Sequence, residues 1–89
     1  MLSDKTKARI RALIYPIQFE ANPIDGIDRV INKVVNESAL NATQQEYLDS
    51  IQEALSSNAQ LSNLIPQRHS EDAIRHFLAE VKHRLQHPG

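Results

Sequence analysis

The sequence predicts an all-α protein, an antiparallel four-helix bundle with short loops that occupies residues 1–89 as a single domain. Four segments carry apolar residues at the i, i+3, i+4 spacing of a helix face, and none alternates strictly as a half-buried strand would. The only two glycines are Gly26 and Gly89, which leaves little material for the tight turns of a sheet protein. Amphipathic helices joined by short loops pack most simply as an antiparallel bundle.

The first helix is predicted to begin after Ser3 and to run to about Tyr15. Serine is a favoured N-cap because its hydroxyl accepts a hydrogen bond from a free amide of the first turn. Pro16 lacks an amide donor, so the helix ends or kinks there. One stripe of apolar residues at helical spacing faces the core: Ile10, Leu13, Ile14 and Ile17.

The second helix is predicted to start near Pro23 or Asp25 and to reach about Glu37. Most of its apolar residues are β-branched, yet they keep the helical period rather than the alternation of a strand. That apolar set comprises Ile24, Ile27, Ile31, Val34 and Val35.

The third helix has the clearest predicted start. Thr43 and Glu46 stand three residues apart, the spacing of a capping box in which each side chain bonds the other residue's backbone amide. Residues 56–58 are Ser-Ser-Asn and weaken the end of this helix. Its buried stripe is expected to include Tyr47 or Leu48, Ile51 and Leu55.

A short helical turn is predicted just ahead of Pro66, before a last helix capped by Ser70. Two acidic residues in the first turn of that helix, Glu71 and Asp72, face the positive end of its dipole. Its apolar stripe comprises Ile74, Phe77, Leu78, Val81 and Leu85. Across the four helices, we expect the core to include Ile14, Ile31, Ile51, Leu55, Phe77 and Val81.

Three of the four histidines are predicted to lie on the solvent side of the last helix. At about 100° per residue, His76, His83 and His87 fall roughly 180–220° from Ile74. His83 and His87 have the i, i+4 spacing that can clamp a metal ion, but a pair supplies only two ligands. We therefore predict no native metal site and no cofactor.

Catalytic chemistry is not expected either. His69, Ser70 and Asp72 are residue types found in nucleophilic triads, but neighbours along a helix start point in different directions. Ser70 fits a cap better than a nucleophile. A chain of 89 residues also has enough material for one core but not for a core and a deep substrate cavity. We therefore predict a protein that is not an enzyme and has no small-molecule substrate.

The charge and cysteine content bear on location and partners. Cysteine is absent, which fits a reducing compartment. The apolar runs are too short for a signal sequence or a membrane span. Residues 1–19 hold four cations against one acid and could contact phosphates or a membrane surface, but the whole chain has a net charge of −1. We expect a cytoplasmic protein, with a peripheral position at the inner face of the membrane left open, and no nucleic-acid partner.

Several stretches occur in an order shared with one known family. The first helix ends in LIYPI, an NP connection follows, and the second helix contains GIDRVINKVV. The third helix leads into LSNLIP, and the last helix reads SEDAIRHFLAEVKHRL. Over nearly its full length the chain resembles the immunity proteins of pediocin-like bacteriocins, the enterocin A immunity family. The passage from Leu-Ser through Ile-Pro into the last helix carries most of the likeness.

The resemblance implies a monomeric, cytosolic four-helix bundle that protects a producing cell from its own bacteriocin. Such proteins are thought to bind the membrane permease complex of the mannose phosphotransferase system once the toxin has docked on it. We expect specificity to lie on exposed polar residues of the second half of the chain, because buried aliphatic residues cannot discriminate between partners. The candidate residues are Arg68, His69, Arg75, His76, His83 and His87.

A second interpretation stays open. The same features suit a generic small helical protein that binds another partner, such as an antitoxin, a phage or plasmid regulator, or an assembly subunit. A gene for a small secreted peptide with a double-glycine leader beside this one would favour the immunity interpretation.

Overall fold

Four α-helices make up most of the computed structural model, which describes residues 2–36 and 43–87. No strand occurs in those residues. The all-α prediction and the number of helices are therefore confirmed. The helices are α1 (Asp4–Ile14), α2 (Ile27–Asn36), α3 (Gln44–Ser56) and α4 (Glu71–Gln86), and three short 3₁₀ turns lie at Tyr15–Ile17, Pro23–Gly26 and Leu61–Asn63.

Helix α1 starts and stops where the sequence predicts. The Ser3 hydroxyl accepts a hydrogen bond from the Thr6 amide at 3.2 Å, which confirms the N-cap. Its last helical residue is Ile14, and Pro16 sits in the 3₁₀ turn that follows. At α4, the Ser70 hydroxyl accepts from the Ala73 amide at 3.1 Å, so this cap is confirmed too.

The prediction that α2 begins near Pro23 or Asp25 is wrong. Residues Pro23–Gly26 form a separate 3₁₀ turn in which the Ile27 amide donates to the Ile24 carbonyl, and the α-helix starts only at Ile27. Tight packing explains the interruption. A Cβ at Gly26 would meet the Ile17 Cγ2 atom at 2.5 Å, so only glycine allows the two 3₁₀ turns to approach this closely. The predicted end of this helix, at about Glu37, lies outside the described residues.

The helices pack most extensively as α3 on α4, α1 on α3 and α2 on α4. All five predicted apolar residues of α4 are buried, and so are all four of the first stripe. Of the predicted core residues, Ile14, Ile51, Phe77 and Val81 are confirmed as fully buried. Tyr47 also lies in the core, where burial raises the pKa of its phenol.

The other two predicted core residues, Ile31 and Leu55, are only partly buried at the edge of the core. On α2 the buried stripe is Ile27, Val30 and Val34, so the sequence analysis missed Val30. Val35 follows that stripe by one residue, a rotation of about 100°, and is 53% exposed. On α3 the small side chain of Ala54 faces the core, and Leu55 is turned away by the same step.

A polar seam joins α1 to α3 beside the apolar core. The Thr6 hydroxyl donates to the Glu53 carboxylate at 2.7 Å. The Arg9 guanidinium donates to Glu46 at 2.9 Å and to the buried Ser50 hydroxyl at 3.2 Å. These bonds supply partners for the buried polar groups of the interface and fix how the two helices align.

The capping box predicted at α3 is confirmed. The Glu46 amide donates to the Thr43 hydroxyl at 3.1 Å, and the Thr43 amide donates to the Glu46 carboxylate at 3.1 Å. The hydrogen bond from the Thr43 amide is the main reason that the pKa of Glu46 is lowered. The helix start therefore depends on one exposed hydroxyl.

We predict that Thr43→Ala lowers the free energy of unfolding by about 1 kcal/mol, because it removes the acceptor for a first-turn amide. Thr43→Ser keeps the hydroxyl and is the matched control. Urea unfolding followed by circular dichroism measures both variants. Equal unfolding midpoints for the alanine and serine variants would show that the cap does not stabilise α3.

Candidate partner-binding surface

The outer face of α4 carries exposed histidines. His76 and His83 lie on the side away from the buried stripe, and His87 ends the helix, so the predicted exposure of all three is confirmed. The rings of His83 and His87 lie with their centroids 4.7 Å apart and their planes tilted by 38°. Arg68, in the segment before the helix, is also exposed. These four residues, Arg68, His76, His83 and His87, are called the α4 outer face below.

His69 was expected on this exposed surface, and that expectation is wrong. The residue is buried, and its Nε2 atom lies 2.9 Å from the carbonyl oxygen of Ile17. Its backbone amide donates to the side chain of Gln67 at 2.6 Å. The ring enters the interior because the chain just before α4 passes beside the 3₁₀ turn that follows α1. His69 therefore holds the fold together instead of facing a partner.

Arg75 was also expected among these exposed residues, and that expectation is wrong. Its side chain is half-buried. Its guanidinium donates to three backbone carbonyls, one in the last turn of α3 and two in the segment that follows the helix. Those carbonyls belong to Leu55 at 3.3 Å, Ser57 at 3.0 Å and Ala59 at 2.8 Å. The final carbonyls of a helix have no partner within it, and the planar fork of arginine can satisfy several at once.

Glu71 completes this arrangement from the first turn of α4. Its carboxylate accepts from the amides of Leu61 at 3.1 Å and Ser62 at 2.8 Å, and from Arg75 at 2.8 Å. Burial raises its pKa, but the hydrogen bonds from Ser62, Leu61 and Arg75 together outweigh burial and leave the pKa lowered. Glu71 and Arg75, with the backbone of residues 55–62 that they bind, are called the α3–α4 clasp below.

The sequence analysis missed two exposed aromatic residues at the other end of the chain. Tyr15 is 63% exposed and Phe19 is 85% exposed, so two of the four aromatic residues lie at the surface. A signal for Tyr15 was present, since it lies about 140° around α1 from Ile10 at about 100° per residue. Phe19 follows in an irregular turn, where helical periodicity gives no orientation.

The arrangement of the α4 outer face suits binding through hydrogen bonds and charge. Within residues 2–36 and 43–87, no three histidine or carboxylate side chains converge in a way that could hold a metal ion. In the same residues, no helix has both the length and the apolar character that crossing a bilayer requires. Imidazole and guanidinium groups on this surface can donate hydrogen bonds to a partner's carboxylates or carbonyls.

Comparison with known proteins gives no match to a family model, a curated protein or a solved structure.

We predict that Glu71→Gln lowers the free energy of unfolding at neutral pH by about 1–3 kcal/mol, because it weakens charge-assisted hydrogen bonds to backbone amides. The folded pKa lies below the ordinary value of 4.5, so the contribution of Glu71 is fully present above pH 4.5 and is lost as the pH falls through the folded value. The variant should therefore lose less stability on acidification than the wild type. Urea midpoints across that pH range measure the effect.

Glu80→Gln is the matched control, since Glu80 lies on the same helix but pairs with the Arg84 side chain at 3.2 Å. It should change stability by no more than about 0.5 kcal/mol. If the urea midpoints of the Glu71→Gln variant and the wild type fall by the same amount as the pH is lowered, the role given to the clasp is contradicted.

Proposed function

We propose that this chain is a bacteriocin immunity protein, a cytoplasmic binding protein that protects its producer from a pediocin-like bacteriocin. Its partner is the mannose phosphotransferase permease with bound toxin, and it acts as a monomer by binding, without turnover of the toxin. The proposal includes an antiparallel orientation of the four helices. The segments 15–26 and 57–70, which connect α1 to α2 and α3 to α4, are longer than the short loops expected from the sequence and contain the three 3₁₀ turns.

The observation that carries the proposal is the α3–α4 clasp. The clasp binds the amides of Leu61 and Ser62, which open the LSNLIP passage, to Glu71 in the first turn of α4. This is the passage that carries most of the resemblance to the immunity family. Arg75 joins the same unit to the end of α3. The residues that make the chain resemble that family are thus also those that set how α4 is presented.

The clasp supports a binding function because it fixes the surface that would meet a partner. Ordering a flexible surface at the moment of binding costs free energy, so a surface already fixed in the free protein binds more tightly. In the α4 outer face, His76 and His83 stand on the helix that the clasp anchors, His87 caps its end, and Arg68 precedes its first cap; none of the four contributes to the core. Arg68, His76, His83 and His87 can therefore vary between related proteins while the fold is kept. His69 and Arg75 are removed from the candidate set, since both hold the structure.

The direct test is expression in the cytoplasm of a sensitive strain, followed by challenge with a panel of pediocin-like bacteriocins. We predict protection against one or a few toxins, and loss of that protection in the double variant His76→Ala/His83→Ala. Both residues are exposed, so the free energy of unfolding should stay within about 0.5 kcal/mol of wild type. Urea unfolding of the purified variant separates loss of binding from loss of fold.

The matched control is Gln45→Ala/Asp49→Ala, an exposed i, i+4 pair on α3 joined by a 2.9 Å hydrogen bond. This variant should protect as well as wild type. If wild type protects and both double variants protect equally well, the partner contacts a surface other than the α4 outer face. Protection against no toxin of the panel would reject the immunity function and leave the generic partner-binding protein, such as an antitoxin, a regulator or an assembly subunit.

A further inference from the structure

Two aromatic side chains project from a turn that is itself held firmly. Between Tyr15 and Phe19, the side chain of Ile17 is fully buried and packs against Gly26. The Ile17 carbonyl is bonded to the buried His69 ring at 2.9 Å. Burying an aromatic side chain is one of the largest stabilising contributions open to a small domain, yet these two face solvent. Residues 15–19 are called the aromatic turn below.

Cations line the side of α1 that leads to this turn. Lys7 and Arg11 precede Tyr15 by eight and four residues, so the three side chains follow one another along one side of the helix, about 5–6 Å apart at Cβ. Neither cation takes part in an ion pair within residues 2–36 and 43–87. The Arg11 Nε atom donates to the Leu64 carbonyl at 3.0 Å, which holds the guanidinium at the surface. Lys7 and Arg11 are called the cationic strip. The acid nearest to this strip along the chain is Asp4, at the start of α1.

Exposed aromatic rings beside unpaired cations are typical of proteins that attach to a membrane surface. Aromatic rings favour the boundary between headgroups and acyl chains, and lysine and arginine are attracted to anionic lipids. We propose that the aromatic turn and the strip formed by Lys7 and Arg11 dock this protein on an anionic lipid bilayer. Tyr15 and Phe19 enter the headgroup boundary, and the two cations contact lipid phosphates.

The exposed area favours a lipid surface over a protein partner at this site. An aromatic side chain has about 150–250 Å² of surface, so the exposed fractions of Tyr15 and Phe19 give roughly 220–370 Å² in total. A stable protein interface buries about 800 Å² on each partner. Attachment to a bilayer has no such threshold and requires no complementary shape, because its strength increases with each buried apolar group and each cation.

This inference does not depend on the proposed function, because it involves different residues and a different ligand. The two surfaces are compatible, since the aromatic turn lies on the first third of the chain and the α4 outer face on the last. A protein attached to a membrane through the aromatic turn would keep the α4 outer face available to a membrane protein.

Fluorescence of a single introduced tryptophan gives the test, because the chain contains no tryptophan. Phe19→Trp is titrated with phosphatidylcholine vesicles that either contain or lack phosphatidylglycerol. The expected result is a blue-shifted emission with the anionic vesicles only, which high salt reverses because it screens the cations. Val35→Trp is the matched control, since Val35 is the other large exposed apolar residue among the described ones. Its emission should not shift.

Co-sedimentation with the anionic vesicles then tests the residues separately. Tyr15→Ser/Phe19→Ser should weaken vesicle binding at least tenfold, and Lys7→Gln and Arg11→Gln should each weaken it roughly fivefold, as expected for one cation near an anionic surface. Lys33→Gln, on α2, removes the same charge elsewhere and should leave binding unchanged. Circular dichroism and urea midpoints confirm that each variant is folded.

Three results would overturn the proposal: no emission shift with any vesicle, an equal shift for Val35→Trp, or an equal shift with neutral vesicles. A Tyr15→Ser/Phe19→Ser variant that loses toxin protection while wild type binds no vesicles would overturn it too, and would assign the aromatic turn to a protein partner. Vesicle binding by a chain that protects against no toxin would support the lipid site and reject the immunity function, so the two failures are distinguishable.

Discussion

The hydrogen bond between the His69 ring and the Ile17 carbonyl is the contact on which the rest of this structure depends. A carbonyl oxygen can only accept, so the Nε2 atom of His69 must carry the proton. The bond joins residues 52 positions apart in sequence, the turn after α1 and the segment before α4. The Ile17 carbonyl also accepts from the Glu20 amide at 3.1 Å, so removing the imidazole would break the link between the two segments without leaving the carbonyl unpaired, and the lost bond alone is worth about 0.5–1.5 kcal/mol. The end of the first helix and the start of the last are therefore fixed against each other.

Both proposed surfaces follow from this junction. On the α1 side, Ile17 is held between His69 and Gly26, and the aromatic turn is presented to solvent. On the α4 side, His69 precedes the cap of the helix, and two residues later Glu71 begins the α3–α4 clasp. The chain has few aromatic residues and a single small core, so specific polar contacts across long sequence separations set the positions of its helices.

Features set by neighbouring residues could be predicted from the sequence, and features set by distant contacts could not. The caps at Ser3, Thr43 and Ser70 and the buried stripe of α4 depend on residues within a few positions, so the periodicity and capping rules found them. His69 and Arg75 look like surface residues by the same rules, and only the packing of separate segments reveals their bonds to Ile17 and to the end of α3. The 3₁₀ turn that precedes α2 likewise depends on the close packing of Gly26 against Ile17, a contact that the sequence pattern does not reveal. Four residues of the predicted site are still candidates for partner binding: Arg68, His76, His83 and His87. The aromatic turn was not predicted from the sequence.

The protonation of the His69 ring is the most direct test of this central contact. Long-range proton–nitrogen NMR spectra distinguish the two neutral forms of each histidine. At a pH where the imidazoles are neutral, His69 should show the proton on Nε2 with a single fixed form. Its ring should be protected from exchange with solvent, whereas the exposed rings of His76 and His83 should average between forms as internal controls. A proton on Nδ1, or averaging of His69 like that of the exposed rings, would contradict the account.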